Sequence, residues 1–282
     1  MDHRTPGVAT RGHLTCHCVL LETGSELVLV DTGFGLRDVA DPRSRLSAFF
    51  LTLVKPLFRE EMTAIRQIAR LGFDPRDVRH IVLTHLDFDH AGGLDDFPWA
   101  HVHLLAPERD NALAQKTWLD RQRFRPQQWS VRDHWQAYAL DRGETWFGFE
   151  GVQRLRGLPP EILLVPLIGH TLGHAGVAMQ RQSGWRLLAG DAYFFHEEMS
   201  LERPWCTPGL RFYQTLLEKD RRARLSNQAR LRELRRSQSG HVDIFCSHDV
   251  CEFERLAGHA QEQPAATVPS AGVVRQGQPS PS

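Results

Sequence analysis

The sequence predicts one α/β domain in which short buried strands alternate with helices, and three observations carry that expectation. Short apolar, β-rich runs recur along the chain, and segments with apolar residues at helical spacing lie between them. Histidine and aspartate gather just after several of the runs, where an α/β sheet presents its loops. The 282 residues are 41% hydrophobic and 24% charged, which is enough apolar material for a sizeable core.

Leu14 to Leu21 is apolar and β-rich, Glu26 to Val30 repeats the pattern, and Thr23-Gly24-Ser25 between them predicts a hairpin. On such a strand Cys16 and Cys18 would share a face. The second run ends in Asp31-Thr32-Gly33. From Glu60 to Leu71, apolar residues at Met62, Ile65, Ile68, Ala69 and Leu71 predict a helix that Gly72 ends. Asp74-Pro75 turns the chain into a short buried strand, Val78 to Thr84. Ala100 to Leu105 alternates like a strand, and Pro107 to Ala114 reads as a helix with proline in its first turn. Lys116 to Glu150 holds Trp118, Trp129, Trp135 and Trp146 among many charges, and is expected to be a helical, aromatic insertion capping a site. Leu163 to Leu167, Val177 to Gln180 and Trp185 to Ala189 predict three further strands. Arg211 to Arg236 predicts a long helical stretch, Val242 to Cys246 a last core strand, and Glu252 to Ala257 a closing helix. Residues 1–260 then form the domain. Residues 261–282, rich in Pro, Ala, Ser, Gly and Gln, are expected to be a disordered tail, because they bury too little to offset ordering entropy.

The composition excludes several classes. With 34 basic and 34 acidic side chains, no bulk field draws the chain to nucleic acid or to an anionic membrane. The basic stretch Lys219 to Arg236 is interleaved with Asp220 and Glu233 and keeps Leu225, Leu231 and Leu234 for burial, which predicts a solvated helix face rather than an RNA site. Five cysteines, at 16, 18, 206, 246 and 251, make no disulfide framework and are expected to be reduced thiols. Met1 to Arg11 lacks the apolar stretch of a signal peptide and no membrane-length apolar run occurs, so a cytoplasmic protein is the expectation.

The decisive segment is Thr84-His85-Leu86-Asp87-Phe88-Asp89-His90-Ala91-Gly92-Gly93. A loop leaving a strand can aim His85 and Asp87 at one point, while Asp89 and His90 serve a second point nearby. Gly169-His170-Thr171-Leu172-Gly173-His174 follows another apolar run, Leu188-Ala189-Gly190-Asp191 puts a carboxylate at a strand end, and Phe245-Cys246-Ser247-His248 an imidazole at the last. Singly, each is as well explained by a capped polar residue. Together they make a seven-residue ligand set.

The pattern resembles the metallo-β-lactamase superfamily, whose signature is His-x-His-x-Asp-His followed by a distant His, a bridging Asp and a last His. Asp31-Thr32-Gly33 is similar to that family's Asp-Thr-Gly, which supports the metal loop. The resemblance spans residues 14 to 250 and implies a four-layer αββα sandwich. It implies one metal on His85, Asp87 and His170, a second on Asp89, His90 and His248, and Asp191 bridging them. His174 would be a supporting residue. One position departs from the family: Asp87 stands where the second histidine is expected. A harder, anionic ligand there leans the first site toward zinc, iron or manganese, zinc first.

Two divalent ions sharing a bridging hydroxide imply hydrolysis of an ester-like bond in a small acyl or ester substrate, with Asp89 steering the nucleophile or moving a proton. The loop is similar to that of acyl-homoserine lactone lactonases, which places a lactone first and a thioester or phosphodiester second. Those enzymes carry a tyrosine shortly after the bridging Asp, and Tyr193 is the nearest match here, one residue early. The tryptophan-rich segment would suit an acyl chain, a packed cap or a homodimer interface. A di-iron oxidoreductase is a weaker expectation, since the chain after Ala257 is too short for a fused flavin domain. A non-catalytic binding protein would have lost ligands, and here every position holds a competent one.

Overall fold

The computed structural model describes residues 12–24 and 26–258. The expected tail, 261–282, lies outside the described residues. Two sheets face each other. The first has the order β1-β2-β3-β4-β5, formed by β1 (Val19–Thr23), β2 (Glu26–Val30), β3 (Val78–Val82), β4 (His101–Leu105) and β5 (Trp135–Tyr138). β1 pairs antiparallel with β2, and β2 to β5 are parallel. The second has the order β11-β10-β9-β8-β7-β6, formed by β6 (Glu144–Trp146), β7 (Phe149–Arg154), β8 (Ile162–Pro166), β9 (Ala175–Arg181), β10 (Gly184–Leu188) and β11 (Val242–Phe245). There β11 is parallel to β10 and the other pairs are antiparallel.

Side-chain alternation explains the layering. In β2, Val28 and Val30 point to a cluster between the sheets with Val82, Leu164, Val177 and Leu188, while Leu27 and Leu29 point to an outer cluster. The helices are α1 (Leu36–Ala40), α2 (Pro42–Arg45), α3 (Ala48–Leu53), α4 (Ala64–Arg70), α5 (Ala106–Ala114), α6 (Trp118–Arg123), α7 (Pro208–Leu217), α8 (Arg221–Ser237) and α9 (Val250–Ala257). Ile68 of α4 and Ala112 of α5 cover the first sheet, and Leu231 and Leu234 of α8 cover the second. The result is the expected four-layer αββα sandwich.

Three expectations need correction. Leu14 to Cys18 precede β1 rather than forming its start, and instead run beside the last ligand loop, with Thr15 N and His17 N donating to the carbonyls of His248 and Ser247 at 3.2 and 2.9 Å. Residues 116–150 are not a helical insertion, because beyond α6 and one 3-10 turn at Pro126–Gln128 the segment supplies β5 to the first sheet and β6 and the start of β7 to the second. Trp129 packs in the outer cluster of the first sheet with Trp135 partly buried against it, and Trp146 packs in that of the second, so these three serve the core, while Trp118 is exposed beside Phe49. The long helix is broken at Glu218–Asp220, where Lys219 N and Asp220 N donate to the Gly169 carbonyl at 2.8 and 2.9 Å. Gly169 fits there because its φ is +138° and a Cβ would lie 2.4 Å from Arg224 N. Asp220 restarts the chain as α8 by accepting from Ala223 N at 2.9 Å.

Candidate metal centre

β2, β3, β8, β10 and β11 all end at one edge, where Ala175 N at the start of β9 donates to the Thr84 carbonyl at 2.9 Å. The loop after β3 turns tightly, with His90 N and Ala91 N both donating to the Asp87 carbonyl at 3.0 Å. Gly92 lets it pass the Asp31 loop, since a Cβ there would lie 2.6 Å from the Gly33 carbonyl oxygen. Asp31 has φ +54°, a left-handed conformation unusual outside glycine. Its carboxylate accepts from Thr84 N and Thr84 Oγ1 at 2.8 Å and from His90 Nδ1 at 2.9 Å. Thr84 Oγ1 in turn lies 2.9 Å from His85 Nδ1. One buried carboxylate thereby orients two imidazoles so that both Nε2 atoms face inward. His248 is turned the same way by donating Nδ1–H to the Thr15 carbonyl at 2.6 Å.

The structure brings all seven sequence-predicted ligands together. Asp191 Oδ2 faces His85 Nε2 and His170 Nε2 at 3.7 and 3.3 Å, and Asp87 Oδ2 lies 3.4 and 3.0 Å from the same two atoms. On the other side, Asp191 Oδ1 lies 3.3 Å from His90 Nε2 and 3.0 Å from His248 Nε2, which are 3.4 Å apart. Asp89 completes this half at 3.9 and 3.8 Å from the two imidazoles. Ligand atoms around a tetrahedral zinc stand about 3.3 Å from one another. The buried His85 Nε2 and Asp191 Oδ1 have no hydrogen-bond partner, a costly state unless a cation takes them. Imidazole nitrogens and carboxylate oxygens at these spacings fit divalent metal.

Buried carboxylates and imidazoles act on one another across the centre. Burial would raise the Asp191 carboxyl, but His248, His90, His85 and His170 hold it well below the usual carboxylate range. Burial also works against ionised Asp87, and the Arg123 guanidinium overrides it. Burial raises Asp89, with Asp191 and Asp87 reinforcing the shift against His90 and His248. His174 is a supporting residue, as expected: Nδ1 meets the Leu167 carbonyl at 2.9 Å and Nε2 accepts from Asp191 N at 2.8 Å.

Tyr193 is not brought to the centre. Its hydroxyl is buried against Glu252, donating at 2.9 Å, because it points away from the ligands while the next side chain, Phe194, points toward them. The Phe194 ring stacks on His248 at 4.8 Å. Tyr213 of α7 stands 5.8 Å from Phe194, and its phenol is pushed up by burial and then by Asp89, Asp191 and Asp87. Sequence reasoning missed it, along with Glu108, Arg123 and Cys16. Buried Glu108 ties two ligand loops together, accepting from Leu86 N at 2.8 Å and Thr171 Oγ1 at 2.5 Å. Cys16 brings Sγ to 3.9 Å from Asp89 Oδ2. For Arg123 the signal was the acid at 87, which called for a cation. Nothing in the spacing identified which one.

The fold and the ligand geometry define a metal-dependent hydrolase, and the chain belongs to the metallo-beta-lactamase superfamily, whose family model matches residues 11–241. A protein of Mycobacterium tuberculosis named as a probable metallo-hydrolase is 42% identical over 237 residues, covering 84% of this chain and 75% of the relative. The N-acyl homoserine lactonase AiiA of Bacillus thuringiensis is 28% identical over 247 residues, 87% of this chain and 85% of that protein. A solved N-acyl homoserine lactone hydrolase, with N-hexanoyl-L-homoserine at its catalytic metal centre, superposes with a TM-score of 0.63 at 26% identity, covering 90% and 91% of the two chains. Among the described residues no helix is long and apolar enough to cross a membrane.

Proposed function

We propose that this chain opens lactones, of the acyl-homoserine type first, using metal ions held by His85, Asp87, Asp89, His90, His170, Asp191 and His248. The observation that carries the reading is the convergence of these seven side chains on two adjoining points, with one Asp191 oxygen facing each. Divalent ions, zinc first, would supply Lewis acidity and water activated at neutral pH. Asp89, at the rim of the second half and raised toward its neutral form, holds or passes the proton that the leaving alkoxide needs. Tyr213, kept neutral, supplies the hydroxyl that orients the substrate oxygen, the role expected of Tyr193 from sequence. Phe34, Phe88 and Phe194 give the acyl chain an apolar wall in place of the tryptophans, with Phe34 and Phe88 rings 6.0 Å apart. A thioester or phosphodiester is the alternative substrate of the same centre.

The test is ring opening of short- and long-chain acyl-homoserine lactones followed by proton release, with Asp191→Asn as the blank. Rapid turnover absent from the variant is expected. No turnover in protein that retains its metal would eliminate the lactone and move thioesters and phosphodiesters forward.

A further inference from the structure

The two halves of the centre are built differently, and the difference lies in Arg123. This side chain is fully buried at the end of α6. Nε donates to Asp87 Oδ1 at 2.7 Å and Nη2 to Asp87 Oδ2 at 2.5 Å, a two-pronged grip that matches guanidinium to carboxylate. Nη2 also lies 2.8 Å from His170 Nε2, and Nη1 donates to the Leu217 carbonyl at 2.7 Å. A guanidinium has donors only, so His170 Nε2 must accept. The lone pair that His170 would give a metal is spent on arginine, and so is the inward oxygen of Asp87.

The arrangement is braced rather than incidental. Asp87 and Phe124 form a backbone β-bridge, which fixes Arg123 beside its acid. Lys219 Nζ holds Asp120 of α6 at 2.7 Å, and Lys219 N is bonded to the Gly169 carbonyl next to His170. Among the described residues no such cation stands at the second half. His90 is backed by the Asp31 carboxylate and His248 by a carbonyl, and Asp89 and Asp191 face them. One half thus has a guanidinium among its ligand atoms, and the other is built of imidazoles and carboxylates.

We infer that Arg123 is a built-in cation of the first half, a positioning residue that makes the centre load unequally. The second half (Asp89, His90, Asp191, His248) binds its divalent ion tightly. The first half (His85, Asp87, His170) binds one weakly, because the ion must take Asp87 and His170 away from the guanidinium and stand beside its charge. The inference rests on reading the centre as a metal site.

The experiment is zinc titration of chelator-stripped full-length protein in competition with a chromophoric chelator, with metal per chain counted after gel filtration. Wild type is expected to keep one ion, with the second weaker by about 100-fold, the upper end of what a neighbour of a ligand controls. Arg123→Met is expected to keep two, with circular dichroism confirming that it folds. A second pair of variants needs no change at Arg123: His170→Gln should still keep one ion and His90→Gln none. Two ions of equal affinity in wild type, or retention by His90→Gln and loss in His170→Gln, would overturn the inference while leaving the hydrolase reading intact. No ion at all in folded wild type would instead overturn the reading of the centre.

Discussion

Asp31→Asn isolates the contribution of a single buried oxygen. Asn is among the few residues tolerated at φ +54°, so the backbone conformation survives and only the side chain changes. Asp31 accepts three hydrogen bonds, from Thr84 N, Thr84 Oγ1 and His90 Nδ1. An amide presents one oxygen and one NH2, so one orientation sets NH2 against Thr84 N and the other sets it against His90 Nδ1. Losing a hydrogen bond to a charged acceptor costs about 1.5–3 kcal/mol, and leaving a buried donor unpaired about 1–3 kcal/mol. With partial relaxation the net destabilisation is about 3 kcal/mol, which for a chain of this size lowers Tm by roughly 6–12 °C. Because Asp31 also fixes Thr84 Oγ1, and through it His85, zinc affinity should fall by about 10–100-fold. Differential scanning calorimetry of the stripped protein and chelator competition measure the two effects separately. Unchanged Tm together with unchanged zinc affinity would refute the argument that this carboxylate orients the ligands.

The two tyrosines should separate cleanly. Tyr213→Phe is expected to lower lactone kcat/KM by about 100-fold, the lower end of the range for a positioned catalytic hydroxyl. Tyr193→Phe should leave kcat/KM nearly unchanged and cost about 1 kcal/mol of stability through its lost bond to Glu252. Glu108→Ala frees the donors of Leu86 N and Thr171 Oγ1 and should destabilise the chain by about 3 kcal/mol, read by urea denaturation. His103, bonded to Tyr138 and His80 at 2.8 and 2.9 Å, has its pKa lowered from 6.5 to about 3 by burial and then by His80 and His101. The unfolded chain therefore binds the proton more readily, and stability present above pH 6.5 is lost as pH falls toward 3, by about 1.4 kcal/mol per unit. His103→Gln should flatten that slope in denaturation curves at pH 7 and pH 5.

The strand ends and the meeting of these seven polar side chains were legible because each polar cluster follows a short apolar run. The direction of Tyr193 was not legible. A shift of one residue after Asp191 exchanges the core-facing side for the site-facing one, and Phe194 took the latter. The break between α7 and α8 was hidden because apolar spacing continues on both sides, while the bond that forces it comes from Gly169, fifty residues earlier. The tryptophans at 129 and 146 lie among many charges, which hides their burial. Sheet pairing that buries them is a tertiary event with no local sign. Arg123 is likewise brought to Asp87 by a backbone bridge between Asp87 and the neighbouring Phe124, and of Arg123 and Asp87 only the unusual acid stood out in the sequence.

On the proposed function, hydrolysis depends on metal held by these seven side chains. The most direct measurement is lactone opening before chelation, after removal of metal with a strong chelator, and after zinc is returned. Activity lost on stripping, restored by zinc, and never restored in Asp191→Asn is the result the structure predicts. Hydrolysis that persists in protein shown to be metal-free would contradict it.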